Sequence, residues 1–347
     1  KTCTFGCRYK DQKQRFLDSA ESVSNFSYFL TEANYSGKIT PRQTLVIDEG
    51  HNIETELSKF VEISVSEHFA SSVLKIKFPA KLTQHQTYLW IRDTYLPTAK
   101  RRMRYFEDAI EKFGGDKMRE KLKQFQTITR QYDLLRGHIG KIKKFVEIYN
   151  SENWVFDTST TARRGYRKAL FKPIDISIYA EDYLFRLGQR VIIMSATIMD
   201  PSIFMKTLGL PEDDTCFISL PSPFPKENRP IIFSPAGSMS AKSIDYTLPK
   251  LADAVSTILE HHKGEKGIIH CKTYKIANYL KNNLKSSRIL THDSTNRDAI
   301  LEKHMRSKKN TVLLSPSMTE GVDLRDDVSR FQIICKVPYP YLGDKLI

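Results

Sequence analysis

The 347-residue sequence has no long apolar run. "VIIMSATIM" is among its longest, well short of the roughly 20 residues that a bilayer-spanning helix needs, so no membrane span is expected. The N-terminus, "KTCTFGCRYK", has neither an initiator Met nor the apolar core of a secretory signal, and we expect an internal stretch of a longer chain. Cysteine is scarce: five residues, an odd number, scattered except for Cys3 and Cys7. That excludes a secreted disulfide framework and points to a reducing compartment, cytoplasmic or nuclear. Also missing is any G-x-x-x-x-G-K-[ST], the loop whose backbone N–H groups and lysine cradle a triphosphate. The nearest imitation, "GSMSAKS" (237–243), lacks the second glycine.

What is abundant is positive charge. Lys and Arg total 54 against 40 Asp and Glu, a net charge of +14 that favours a polyanionic partner. Residues 100–144 hold 14 basic and 6 acidic side chains, and Arg163, Arg164, Arg167, Lys168 and Lys172 form a second cluster. The plainer account of such runs is a solvated helical face.

Three textures follow one another, and the length alone favours more than one core. Residues 1–65 are mixed and include the strand "TLVID". Residues 66–165 are charged and helical, with Met118, Phe125, Tyr132, Ile139 and Val146 at seven-residue spacing. Ile128, Leu135, Ile142 and Tyr149 sit three positions after four of these, an a/d seam that predicts a long helix packed on another. Gly137 and Gly140 weaken it locally. From 166 the texture returns to strand and helix: "RVIIMSAT", the proline-dense linker "PSPFPKENRP", then "PIIFSP", "KGIIHC", "RILTH", "NTVLLSP" and "RFQIICKVPYP" as strands, with helices near 247–262, 273–285 and 296–306. This alternation predicts parallel sheets covered on both faces, with ligands beyond the carboxyl ends of the strands.

Four polar clusters fall at such ends. "TLVIDEGHNIE" (44–54) closes an apolar strand with Asp48 and Glu49. One carboxylate there can hold Mg²⁺ through water while its neighbour polarises the water that attacks a γ-phosphate. The structural alternative is Asp48 capping a helix that starts near Asn52. "MSATIMD" (194–200) offers the Ser195 and Thr197 hydroxyls, suited to bonding an acidic pair next door. "IIHCKTY" (268–274) ends in Cys271, Lys272 and Thr273, and "TEGVDL" (319–324) presents Glu320 and Asp323 around Gly321, which allows a tight turn.

In this order, with these spacers, the segments resemble superfamily 2 DNA helicases of the XPD/DinG group. "VIDEGHN" is similar to their DEAH motif II, "MSATI" to motif III, and "HCKTY" and "SPSMTEGVDL" to motifs IV and V. "SVSNFSYFL", "KPIDIS", "PSPFPKENR" and "KVPYPYLGD" match flanking segments. The resemblance implies an α/β protein of two RecA-like parallel-sheet domains with a helical arch inserted in the first. The domains would run 1–65 and 166–225 for domain 1, with 1–10 ending an iron–sulfur region, 66–165 for the arch, and 226–347 for a truncated domain 2.

It further implies ATP-dependent travel along single-stranded or forked DNA, 5′ to 3′, in repair or related processes. Asp48 and Glu49 would serve Mg²⁺ and water activation, with His51, Ser195 and Thr197 coupling hydrolysis to movement. Glu320, Gly321 and Asp323 would sense nucleotide or DNA, while Cys271, Lys272 and Thr273 join Lys100, Arg101, Arg102, Arg163 and Arg164 as nucleic-acid contacts. Cys3 and Cys7 stand where the last ligands of a [4Fe-4S] cluster fall; two cysteines cannot hold one alone, and buried thiols are the expectation for Cys216, Cys271 and Cys335. Gly50 replaces the family's usual alanine, and the C-terminal Q-x-x-G-R-x-x-R motif is missing, as is the phosphate loop. The chain alone is therefore expected not to hydrolyse ATP. The alternatives are a single-stranded nucleic-acid clamp without ATPase activity and an RNA helicase.

Overall fold

A computed structural model describes residues 7–36, 38–112, 122–161, 165–319, 321–339 and 345–346. The chain folds as two compact units, one reaching Ser219 together with the C-terminal end, the other spanning Leu220–Tyr341. No helix among the described residues is long and apolar enough to cross a membrane.

Among its described residues the first unit has five strands: β1 (Arg42–Ile47), β2 (Ile63–Ser66), β3 (Trp154–Thr160), β4 (Arg167–Pro173) and β5 (Gly188–Ile193). β1 and β5 pair in parallel with Ile47 opposite Ile193, so the residues after both strands emerge at one edge. Their β-branched runs suit a pleated surface. Full burial is the expectation for β1, and the structure corrects it: Ile47 is buried, but Val46 is half exposed, as are Ile192 and Met194 on and just after β5. A parallel pair normally has both faces covered, and one face here lacks cover among the described residues.

A three-stranded antiparallel sheet, ordered β2-β4-β3, also belongs to the first unit and has no counterpart in the sequence-based expectation. Its alternation is clear once paired: Ile63 and Val65 of β2 and Ala169 and Phe171 of β4 point into the core. Arg167 is part of this framework. Its guanidinium bonds the Glu67 carboxylate at 2.8 Å and the Pro79 and Ala80 carbonyls, and lies 5.3 Å from the Phe78 ring. Those bonds to Glu67 hold its carboxyl below the usual range. Arg163 and Arg164 lie outside the described residues.

The heptad seam is borne out where it is described. The helix Leu122–Ile148 packs on Leu96–Lys112, burying Leu135, Ile139 and Ile142, with Ile128, Tyr132, Val146 and Tyr149 against the same core. Met118 is outside the described residues. Gly137 and Gly140 leave the helix unbroken.

In the second unit β6 (Gly267–His270), β7 (Ile289–Thr291), β8 (Val312–Ser315) and β9 (Phe331–Ile334) form one parallel sheet in the order β7-β8-β6-β9. The expected helices are Ile244–His261, Tyr274–Asn283 and Arg297–Arg306. Leu248, Val255, Ile276 and Leu280 pack with Ile269 and Leu314 in one core, while Ile268, Leu313 and Met318 form another. The alternating strand residues thus feed two separate cores, as a parallel sheet requires. The α/β expectation of parallel sheets holds in both units. "PIIFSP" does not: no strand forms there, and Ile231, Ile232 and Phe233 are almost wholly exposed, because no neighbouring strand among the described residues offers them a ladder.

One partly buried pair makes the first unit sensitive to acid. The Tyr95 hydroxyl and His138 Nε2 are 2.8 Å apart, and Tyr95 is fully buried. Burial, reinforced by nearby Lys141, lowers the His138 pKa from 6.5 to about 4. The folded state therefore favours neutral imidazole, so this contribution is intact above pH 6.5 and drains away as pH falls towards 4. Between roughly pH 7 and pH 5 the first unit should lose about 2 kcal/mol of stability through this group. In His138→Gln, which keeps a hydrogen-bonding side chain but cannot titrate, denaturant unfolding should lose that part of its pH dependence.

Candidate nucleotide and nucleic-acid sites

The first site grows from the β1–β5 ladder. Beyond the strands, Met194 N donates to Ile47 O (2.9 Å) and Gly50 N donates to Met194 O (2.8 Å), so the pairing continues into both polar clusters. Asp48 and Glu49 are exposed. Glu49 has left-handed backbone, φ 51° and ψ 46°, a conformation that costs a non-glycine residue roughly 1–3 kcal/mol. Two bonds offset this: its N–H donates to Asp48 Oδ1 (2.9 Å), and its C=O accepts from Asn52 N (2.9 Å). The Asp48 carboxylate therefore braces the turn and does not cap the helix Ile53–Val61, whose N-cap, Asn52, makes no side-chain bond.

His51 makes the link between the two clusters. Its Nδ1 lies 2.9 Å from Ser195 Oγ and 3.5 Å from Glu49 Oε2. Ser195 Oγ in turn accepts from Thr197 N (3.1 Å) and sits 3.3 Å from Thr197 Oγ1. The hydroxyls were expected to bond the acidic pair; instead Ser195 meets His51 and Thr197 meets Ser195, leaving the carboxylates exposed. Beside His51 and Thr197 opens a cleft of about 320 Å³, floored by Ile203, Phe204 and Leu208.

Asp48 fits a Mg²⁺ site of the kind that uses one carboxylate and takes its other ligands from water and phosphate. Among the described residues no group of three or more His, Cys, Asp or Glu could enclose a metal. The iron–sulfur expectation rests on Cys3 and Cys7. Cys3 is outside the described residues, and Cys7 is half-buried at the start of the helix Arg8–Asp18. Cys216 is exposed, which corrects the expectation of a buried thiol, while Cys271 and Cys335 are buried in the second unit. The described residues do not bring a cluster's ligands together.

In the second unit the carboxyl ends of β6, β7 and β8 converge on Ser315, a residue absent from the sequence-based candidates. Ser315 C=O accepts from Cys271 N (2.8 Å), and its Oγ accepts from Ser317 N (3.2 Å) and Met318 N (2.8 Å). Both hydroxyl lone pairs are then used, so the hydroxyl proton goes to His292 Nε2, 2.8 Å away. His292 Nδ1 must carry its own proton, directed at Asp293 O at 3.2 Å. Polar residues ending the runs "RILTH" and "NTVLLS" were the available signal.

Lys272 is exposed and left-handed at φ 61°, in a tight turn closed by Thr273 N donating to Cys271 O (2.7 Å). Thr273 caps the helix Tyr274–Asn283 by accepting from Ile276 N. Cys271 was expected to touch nucleic acid, but its side chain is fully buried; a hydrogen bond with Cys335, then burial, pushes its thiol pKa up. Gly321 has φ 68°, a region that favours glycine, and exposed Asp323 pairs with Arg325 at 2.5 Å. Glu320 lies outside the described residues.

On the insertion, Lys100 and Arg101 are exposed, while Arg102 stacks 4.5 Å from the Tyr105 ring and 4.9 Å from Phe106. Phe106 is buried, Tyr132 donates to Glu107, and Tyr166 packs on His68. Of these four rings, Tyr105 is the one left largely open to solvent.

Each unit thus carries polar clusters at the carboxyl edge of a parallel sheet, the first with the sequence D-E-G-H. Residues 257–347 match the family described as "Helicase C-terminal domain". Over 182 residues the chain is 26% identical to the ATP-dependent DNA helicase DinG of Photobacterium profundum, covering 48% of this chain and 26% of that protein. Two solved structures titled "XPD_APO" and "XPD_Helicase" align over 91% and 92% of the chain, at 15% identity, with TM-scores of 0.46 and 0.41. They are covered to 66% and 59% of their own lengths. The chain is thus similar to a DinG helicase over part of its length, and it spans about a quarter of that curated relative.

Gly50 offers a test of the first site's packing. A Cβ there would stand 2.2 Å from Ile193 Cγ2. Gly50→Ala should destabilise the first unit by about 1–3 kcal/mol through overpacking. Adding Ile193→Ala, which removes the obstructing methyl, should make the second change less damaging than it is alone, as a double-mutant cycle in denaturant unfolding would read.

Proposed function

We propose that this chain belongs to an ATP-dependent helicase that moves along single-stranded DNA. The His51–Ser195 contact carries the reading, because it ties the acidic edge after β1 to the loop after β5. In this reading Glu49 orients and polarises the attacking water, and Asp48 would hold Mg²⁺. The ion, when bound, supplies charge neutralisation on the transferred phosphate. His51 is placed to report on the state of the acidic edge, and any movement of its ring reaches Thr197 through the Ser195 hydroxyl. Movement 5′ to 3′ and a role in repair belong to the same proposal.

Nucleic acid would be held electrostatically by Lys100, Arg101 and Arg102, with Tyr105 as a stacking surface, and in the second unit by Lys272 beside the N-terminus of the helix Tyr274–Asn283. Arg163, Arg164, Glu320 and Asp323 remain candidates for contact or sensing within this proposal.

Two measurements test it. In the full-length protein, Glu49→Gln should cut DNA-stimulated ATP hydrolysis by roughly 100-fold or more while nucleotide binding persists, an effect on the order expected for removing a catalytic base. The 347-residue chain alone, which has no G-x-x-x-x-G-K-[ST], should show no DNA-stimulated turnover. A full-length protein that binds DNA without hydrolysis would instead favour a clamp. Separately, replacing Lys100, Arg101 and Arg102 together by Glu should weaken DNA binding and flatten its salt dependence, because fewer phosphates are neutralised and fewer counterions are released. Unchanged affinity at every salt concentration would remove the insertion from the DNA path.

A further inference from the structure

The Ser315 hub is more specific than a strand end needs to be. A single residue joins loops that follow three different strands: Cys271 after β6 through its carbonyl, His292 after β7 through its hydroxyl proton, and Ser317 and Met318 after β8 through its hydroxyl oxygen. Ser315 and His292 are buried, so water does not compete for these bonds. Met318, also buried, plugs the turn into the core with Ile268 and Leu313. The loop after β6 presents exposed Lys272 in strained left-handed backbone, and the turn after β8 leads to Gly321 and Asp323. Whatever fixes Ser315 therefore fixes the spacing between these two surface elements.

We propose that His292 and Ser315 are positioning residues for nucleic-acid binding at the carboxyl edge of the second unit. This rests on the nucleic-acid reading above and adds to it the device that aims the contacting loops. Neither side chain touches nucleic acid. His292 acts as an obligate acceptor: Ser315 Oγ receives two backbone N–H bonds and has only its proton to give, and neutral Nε2 is the group that takes it. Without that acceptor the buried hydroxyl must turn its proton towards one of the two N–H donors and break a bond of the turn, and the loop carrying Lys272 loses a fixed neighbour.

The test uses the full-length protein and a fluorescently labelled single-stranded oligonucleotide, with anisotropy at two salt concentrations and thermal unfolding of each variant. His292→Leu, which fills space but accepts nothing, should raise Kd about five- to tenfold. His292→Gln, whose amide oxygen can stand near the Nε2 position and accept the same proton, should return Kd to within about twofold of the parent. Ser315→Ala, which also deprives Ser317 N and Met318 N of their acceptor, should weaken binding at least as much as His292→Leu, and the double variant should be no worse than Ser315→Ala, because the bond lost in His292→Leu is already absent there. Equal Kd for the parent and His292→Leu would overturn the proposal, as would a Gln variant as weak as Leu, or losses that simply add. Thermal unfolding separates the structural alternative: lower melting with unchanged Kd means a packing role only. Lys272→Glu separates failure of the premise. If the parent binds and Lys272→Glu weakens it while His292→Leu does not, the positioning idea alone fails; if Lys272→Glu has no effect, this edge is not a nucleic-acid contact.

Discussion

The parallel pairing of β1 with β5 is the constraint on which the first site depends. Its ladder does not stop with the strands: Ile47 O accepts from Met194 N, and Met194 O accepts from Gly50 N. These two bonds bring the chain around Asp48 to that around Ser195, although the two lie far apart in sequence. Backbone bonds of this kind fix position before any side chain acts, and the His51–Ser195 bond can form because they have done so. Gly50 shows how tight the approach is. Ile193 Cγ2 occupies the place of a Cβ, so an alanine here needs a smaller residue at 193.

The same device recurs in the second unit. Both Glu49 and Lys272 are the second residue beyond a parallel strand, β1 and β6, and both are left-handed without being glycine. Such backbone persists only where its surroundings over-determine it. At Glu49 the Asp48 carboxylate and Asn52 N–H do so. At Lys272 the turn closes through Thr273 N, and Ser315 anchors the preceding residue. Strain placed where a strand opens into a polar loop points the side chain away from the strand's own alternation and into solvent, and both Glu49 and Lys272 are exposed.

The strands and helices of the second unit were legible because a buried parallel sheet writes itself as short apolar runs between amphipathic helices. The heptad seam was legible because seven-residue spacing over several turns has few other meanings. What escaped was decided by partners distant in sequence. "ISVS" is too short to declare β2, and its role depends on β4, far along the chain. "PIIFSP" reads as a strand by composition, yet a strand needs a ladder, and the described residues supply none. For the site, the residue types were right and the pairings were not. Ser195 was expected beside carboxylates and met His51, while Cys271, read as a contact, proved to be core. Ser315 escaped because a serine after an apolar run is ordinary until three loops are seen to close on it.

The uncovered face of the β1–β5 pair bears on the phosphate loop that the sequence lacks. Val46, Ile192 and Met194 are about half exposed, although parallel sheets are ordinarily covered on both sides. β1 also has an unpaired edge, since the described sheet contains two strands. In a parallel sheet each ligand loop follows the carboxyl end of its own strand, and neighbouring ends lie about 5 Å apart. A strand added in parallel at the open edge of β1 would therefore deliver its following loop beside Asp48. The helices attached to that strand would be the natural cover for Val46 and Ile192. A single element docking on β1 would thus both cover this apolar face and bring a loop to the Asp48 edge.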